Sequence, residues 1–413
     1  MKTDANTIQK SVLPNGIRIV TERMAHVNSV AIGIWLEVGT RNEVKEQNGI
    51  SHFIEHMLFK GTEKRTAFQI AECIENVGGH FNAFTSKDLT CYYIHVLHNH
   101  IHLALDVLSD ILQFSLFNDI EIEKEKEIIL EEIKATLDVP EERIHDYFFQ
   151  DLFPTHPLGM PTLGTVDSLQ SIDRKMLLQY MKKNYTGDRI VITAAGNIWH
   201  EEICEIVQTQ FTTILSKPTM CAHTPPPSTQ VKREYVENSS QAHICLGTQT
   251  FGYANAKRYQ LQLLNTLLGG IMSSRLFQIV RETHGLCYNI YSYNEFFIDS
   301  GIFCIYTGTD KSNVTKSLEL IIKELDNLKE KSILENELER TKSHLKGSLL
   351  ISLDSVSNRM NRLAKMEIYS KKHIHLDNIT YQIDQVTAEE LRDLANILFD
   401  SNNMVLSVLI PKN

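Results

Sequence analysis

The stretch SKPTMCAHTPPPSTQ at residues 216–230 constrains the fold of this chain more than any other feature. Three consecutive prolines inside a Ser/Thr-rich run can continue neither a helix nor a central strand, so residues 216–231 are expected to form a linker. It divides 413 residues almost equally, and a chain of that length suits two domains of about 200 residues better than one core. Near-equal halves invite a test for internal duplication. With a shift of about 214 residues, DRKMLLQYMKKNYTGDRIVITAAG (173–196) lies over TAEELRDLANILFDSNNMVLSVLI (387–410), and VAIGIW (30–35) over ICLGTQ (244–249). The first pair has the same order, a capped amphipathic helix, a polar turn and a strand; the second aligns two strand-like runs. The expected domains are therefore residues 1–215 and 232–413, built on one plan.

Within the halves, GIRIVTE after the Asn15–Gly16 turn, VAIGIWLEV and CYYIHVL read as strands, rich in β-branched and aromatic residues and bounded by turn formers. Runs of 3.6-residue period at 119–137 and 317–348 read as helices. Strands and helices mix without strict βαβ alternation. Each half is expected to be α+β, with helices packed on a largely antiparallel sheet.

The segment GISHFIEHMLFKGT (49–62) carries two histidines four residues apart with a glutamate directly before the second. On a helix, His52 and His56 project together and Glu55 points to nearly the same side. Two neutral imidazoles in that arrangement can hold one divalent ion, and a carboxylate beside them can polarise a bound water. The bland alternative is the solvated face of an amphipathic helix. Against it, Ile50, Ile54, Met57 and Leu58 line the opposite side and Phe53 and Phe59 flank the polar stripe, so apolar residues cover most of the helix.

A two-histidine site requires a third protein ligand. The run DIEIEKEKEIILEEIKATLD, from Asp119, has an apolar stripe through Ile122, Ile129 and Ile133, with Glu125 and Glu132 at its border. Both are placed to reach inward, and periodicity does not choose between them.

Composition narrows the partners. A net charge of −10 argues against a general nucleic-acid binder, which draws its affinity from Lys and Arg on phosphates. Seven scattered cysteines without a C-x-x-C pair read as reduced thiols rather than a disulfide framework or a thiolate zinc site. The N-terminus has no apolar signal core, and no stretch reaches the length of a membrane span. A cytoplasmic location is expected.

Taken together, His52, Glu55 and His56 followed by EKEIILEEIKATLD resemble the inverzincin zinc metallopeptidases, the family of pitrilysin, insulin-degrading enzyme and the mitochondrial processing peptidase. LPNGIRIV, GGHFNAFTSKDLTCYY, THPLGMPTLGT, AAGNI and SSRLFQIVRETHGLCYNIYS are similar to family segments in family order, and the length matches its short, processing-peptidase-like members. The resemblance implies one zinc per chain held by His52, His56 and Glu132, with Glu125 as a supporting acid and Glu55 as general base on a metal-activated water. The second half has TLLGG (266–270) at the repeat position of the motif, so only the first domain is expected to be catalytic.

The same resemblance assigns Arg281 and Tyr288, in RETHGLCY, to the family's Arg–Tyr pair on the substrate backbone. It makes Asn82, Ala83 and Phe84 an edge strand to which extended, unfolded peptides add. Glu142 and Asp146 fall where processing peptidases carry acids for a basic residue, with two solvated helix acids as the bland alternative. A homodimer with composite sites is implied, cutting unstructured peptides or leader segments. The competing reading is an inactive structural or partner subunit, which would be expected to have lost part of the zinc motif.

Overall fold

The computed structural model describes residues 8–216, 223–227 and 229–412; of the 216–231 stretch, residues 217–222 and 228 lie outside the described residues. The strands are β1 (Ile8–Val12), β2 (Arg18–Arg23), β3 (Ser29–Leu36), β4 (His80–Thr85), β5 (Thr90–Leu97), β6 (Ile190–Gly196), β7 (Val231–Glu237), β8 (Ala242–Phe251), β9 (Cys287–Phe296), β10 (Ser300–Thr309) and β11 (Met404–Pro411). Six helices position the features discussed below: α1 (Ile50–Met57), α2 (Asp119–Leu137), α3 (Pro140–Leu152), α4 (Arg174–Asn184), α5 (Val356–Lys365) and α6 (Ala388–Leu398).

One sheet has the order β1-β2-β6-β3-β5-β4 and the other β7-β11-β8-β10-β9. In each, one pair is parallel, β2 with β6 and β7 with β11, and the remaining pairs are antiparallel. Apart from β1, the two sheets therefore share one topology. The duplication read from sequence recurs locally. Asp173 caps α4 by accepting from Met176 N (2.7 Å), and Thr387 caps α6 by accepting from Glu390 N (3.2 Å). A short 3-10 turn follows each helix and leads into β6 or β11. The architecture is two-domain α+β.

The run expected as a single helix over 317–348 is two helices, Val314–Glu330 and Glu335–Ser352. Lys331 turns to extended backbone, and Ile333, buried in the connection, anchors the bend. A helical period on each side conceals that break.

The compact units interleave along the chain. One comprises the described parts of Met1–Ile133, Met160–Ala222 and Ser352–His373, the other those of Lys134–Gly159, His223–Ile351 and Ile374–Asn413. Helix α5 thus belongs with the first sheet although it follows the proline-rich stretch, and α3 belongs with the second although it precedes it. The strand sequences account for the exchange. In β3, Val30, Ile32, Ile34 and Leu36 enter the main core of the first unit, whereas Ala31, Gly33 and Trp35 alternate onto the other face and are also buried. Helix α5 covers that face, packing on β2, β3 and β6. A Cβ on Gly33 would meet Met360 Sδ at 3.1 Å, and Thr193 Oγ1 donates to Met360 O (3.2 Å).

The second unit repeats the device. Phe303 and Ile305 of β10 face one core, while Ile302, Cys304 and Tyr306 face Ile144, Phe148 and Leu152 of α3. Among the described residues no helix is long and apolar enough to cross a membrane, and the six described cysteines are free.

Candidate metal centre

Helix α1 buries Ile50, Phe53, Ile54 and Met57 in the core of the first unit. Its start is held by an acid that motif reading does not find. Glu43 accepts from Gly49 N (2.7 Å), Ser51 N (2.9 Å) and Asn48 Nδ2 (3.0 Å). Its carboxyl thereby satisfies N–H groups that a helix start leaves open. Burial outweighs these donors and raises the Glu43 carboxyl to about 7. Gly49 itself has φ +91°, and a Cβ there would lie 2.6 Å from Leu163 O, so only glycine fits. The single sequence signal for Glu43 is its position a few residues ahead of the helix.

The other side of α1 is not a solvated face. His52 is 7% exposed and Glu55 9%. The His52 and His56 rings stand 4.5 Å apart, centroid to centroid. Glu132 of α2 comes to them: its Oε2 is 3.8 Å from Nε2 of both imidazoles. One ligand atom from each of His52, His56 and Glu132 lies within 4.8 Å of the others.

Glu125 takes a different place. Its Oε1 accepts from His56 Nδ1 (2.9 Å) and its Oε2 pairs with Lys60 Nζ (2.6 Å). Burial works to raise the Glu125 carboxyl, but the His56 and Lys60 hydrogen bonds and the lysine charge outweigh it and hold it low. An ionised Glu125 accepting at Nδ1 fixes the tautomer in which His56 Nε2 carries the lone pair. Burial first, then the neighbouring His56, lowers the His52 pKa to about 3, so that ring is neutral near pH 7 and able to act as a ligand.

Two imidazoles and one carboxylate oxygen form a zinc donor set. The fit is supported by the two rings, each of which turns its Nε2 toward the same Glu132 oxygen. A neutral His52 ring beside an ionised Glu125 suits a divalent ion, whose histidine ligands bind unprotonated.

Glu55 lies beside this set. Thr85 Oγ1 donates to Glu55 Oε2 (2.5 Å). Burial raises the Glu55 carboxyl, against the Thr85 hydrogen bond and the nearby His56, and the Glu132 charge raises it further. Thr85 ends β4, the edge strand of its sheet, which is paired on one side only, with β5.

Residues 18–166 match the family model described as insulinase, peptidase family M16, and residues 171–345 match the model described as the peptidase M16 inactive domain. The chain is 42% identical over 404 residues to the uncharacterized zinc protease YmxG of Bacillus subtilis, covering 98% of both chains. The chain belongs to the insulinase family, peptidase family M16.

A further M16-like relative, an uncharacterized zinc protease of Streptomyces coelicolor, is 38% identical, covering 94% of this chain and 86% of its own. Two solved structures share the fold. A protease from Helicobacter pylori has TM-score 0.91 at 22% identity, covering 98% of this chain and 99% of its own. A Pseudomonas fluorescens protein described as a peptidase M16 inactive domain has TM-score 0.92 at 20% identity, covering 98% of both chains.

The remaining residues expected from the M16 resemblance fall as follows. Asn82, Ala83 and Phe84 lie in β4; Asn82 and Phe84 are exposed and Ala83 half-buried. Ala83 N donates to Asn82 Oδ1 (2.8 Å). Arg281 and Tyr288 meet in the second unit, with the guanidinium carbon 5.1 Å from the Tyr288 ring centroid and 4.5 Å from that of Phe277. Tyr288 is 81% exposed. Glu142 and Asp146 lie on α3, the first exposed and the second half-buried.

Proposed function

We propose that this M16 protein is a zinc-dependent endopeptidase acting on unstructured peptides, with His52, His56 and Glu132 holding one metal ion and Glu55 as general base. The observation that carries the reading is the Thr85–Glu55 hydrogen bond. It sets a buried acid, next to a fitted ligand set, against the end of an open edge strand.

A peptide adding to β4 binds through main-chain groups and runs past that acid. Zinc, when bound, supplies Lewis-acid chemistry, acidifying a water and polarising a carbonyl. Glu55 takes the proton as water attacks the peptide carbonyl, and returns it to the leaving amine. Its raised carboxyl suits both roles, because a base works best with a pKa near the operating pH. Thr85 fixes the rotamer of Glu55, and Glu125 fixes that of His56. Strand addition selects for backbone, which favours unfolded substrates of varied sequence.

Arg281 and Tyr288 are assigned to the substrate backbone; their mutual stacking and the exposure of Tyr288 support that role. Glu142 and Asp146 are assigned a basic substrate residue. The reading includes a homodimer, to be tested by light scattering.

The deciding experiment measures zinc content and cleavage of a quenched, unstructured peptide, with and without chelator, for wild type and Glu55→Gln. The expected result is about one equivalent of zinc at this site in both proteins. Cleavage should be confined to wild type, lost to chelator and restored by zinc. Retained turnover in the variant would remove Glu55 from the role of base. No zinc and no cleavage in either protein would favour an inactive partner subunit.

A further inference from the structure

The second unit contains another group of ligand atoms that the peptidase reading does not use. His145, Cys245 and Cys304 each offer one donor, and the three atoms lie within 4.8 Å of one another. Cys245 of β8 and Cys304 of β10 are fully buried. Adjacent antiparallel strands carry them, with Cys245 opposite Tyr306 and Cys304 opposite Gly247, so the thiols sit on a diagonal of one sheet face. Helix α3 brings His145 over that face, its Nδ1 3.6 Å from Cys245 Sγ. The surrounding wall is Ile144, Phe148, Ile302 and Tyr306.

The imidazole is oriented from both ends. Tyr291 Oη lies 3.2 Å from Nε2 and Tyr293 Oη 2.8 Å from Nδ1. The Tyr291 contact occupies the outer nitrogen, as partners behind a metal-bound histidine do. The nitrogen toward the sulfurs has a hydroxyl oxygen beside it as a fourth polar neighbour.

We propose that His145, Cys245 and Cys304 form a structural site for a zinc-class divalent cation, with the Tyr293 hydroxyl as the fourth neighbour. Charge decides between thiophilic ions. Two thiolates and a neutral imidazole around a divalent ion sum to zero, which an apolar wall tolerates, whereas copper(I) leaves one uncompensated negative charge there. Binding releases the two thiol protons.

The ion would fasten α3, contributed by the first half of the sequence, to a sheet contributed by the second. The ligands come from three distant positions, so no C-x-x-C spacing announces the site.

The test loads the full-length protein with cobalt(II) under reductant and records the near-ultraviolet thiolate-to-cobalt charge-transfer band together with bound metal. Wild type and His52→Ala/His56→Ala should both show the band, with one equivalent held in the double-histidine variant. Cys245→Ala/Cys304→Ala should lose the band and one equivalent while keeping its far-ultraviolet circular dichroism. His145→Phe, which preserves an aromatic ring, should bind cobalt at least tenfold more weakly. Absence of the band from wild type, or its persistence in the double-cysteine variant, overturns the proposal. Neither result bears on the peptidase site, whose His/His/Glu donors give no thiolate band.

Discussion

Glu125 shows how much a single residue off the ligand set can decide. It is 2% exposed on the same helix as Glu132, yet it engages His56 Nδ1 rather than the space between the imidazoles. Glu125→Gln keeps an acceptor but removes the charge that favours the productive tautomer and balances Lys60. Zinc affinity should fall roughly 10- to 100-fold, read by competition with a chromophoric chelator. Zinc should be retained at saturating concentration, and unchanged affinity would assign Glu125 to packing alone.

Glu43 gives a pH prediction. Its folded-state pKa is raised from 4.5 to about 7 by burial, so the folded protein holds this proton more tightly than the unfolded chain does. The stabilisation is complete below about pH 4.5 and is lost as pH rises through 7, an effect of about 3 kcal/mol. The stability difference between wild type and Glu43→Gln, from urea unfolding, should therefore fall from pH 4.5 to 7.5. The comparison cancels groups that titrate alike in both proteins. A difference independent of pH would show that folding does not raise the Glu43 pKa.

At the scale of elements, the open edge of β4 is the feature with consequences. Strand addition needs N–H groups that the sheet does not already use. Ala83 N bonds to the adjacent Asn82 side chain, a partner that an incoming peptide carbonyl can replace. Ala83→Pro removes that donor, and proline is tolerated on an edge strand where its missing N–H faces outward. Cleavage of an unstructured peptide should drop roughly five- to tenfold in kcat/KM, the value of one hydrogen bond, with zinc content unchanged. A drop in zinc content would mean that β4 had been distorted and α1 with it.

The whole molecule depends on the two exchanged helices. Helix α5 buries Val356, Met360, Leu363 and Ala364 with the first unit, and each of the larger side chains is worth about 1.5–3 kcal/mol. A fragment ending at residue 215 lacks that cover and exposes the face bearing Ala31, Gly33 and Trp35. Such a fragment should aggregate or bind a hydrophobic dye, as should one starting at residue 232, which lacks α3. Co-expression of the two should restore a soluble complex, because each fragment carries the other's covering helix. Independent folding of either fragment, seen by cooperative urea unfolding, would refute this account.

Much of the architecture is written in local patterns. The strand runs near residues 18, 30 and 91 and the helices at 52–56 and 119–137 follow from side-chain period, and the repeated helix–turn–strand order follows from capping residues and turn formers at matching positions. These features depend on neighbours a few residues apart, which a sequence displays directly. The candidate histidines were legible for the same reason, being one helical turn apart.

What the tertiary structure alone decided depends on chain closure over long separations. It brought Glu132 to Nε2 of both imidazoles and turned Glu125 to Nδ1, a choice that periodicity left open because both acids border the same helical stripe. It placed Glu43 under the start of α1 and gathered His145, Cys245 and Cys304 on one sheet face. It also passed α3 and α5 between the halves, because a sheet buried on both faces takes whichever helix the chain delivers to its second face, and no local pattern records that destination.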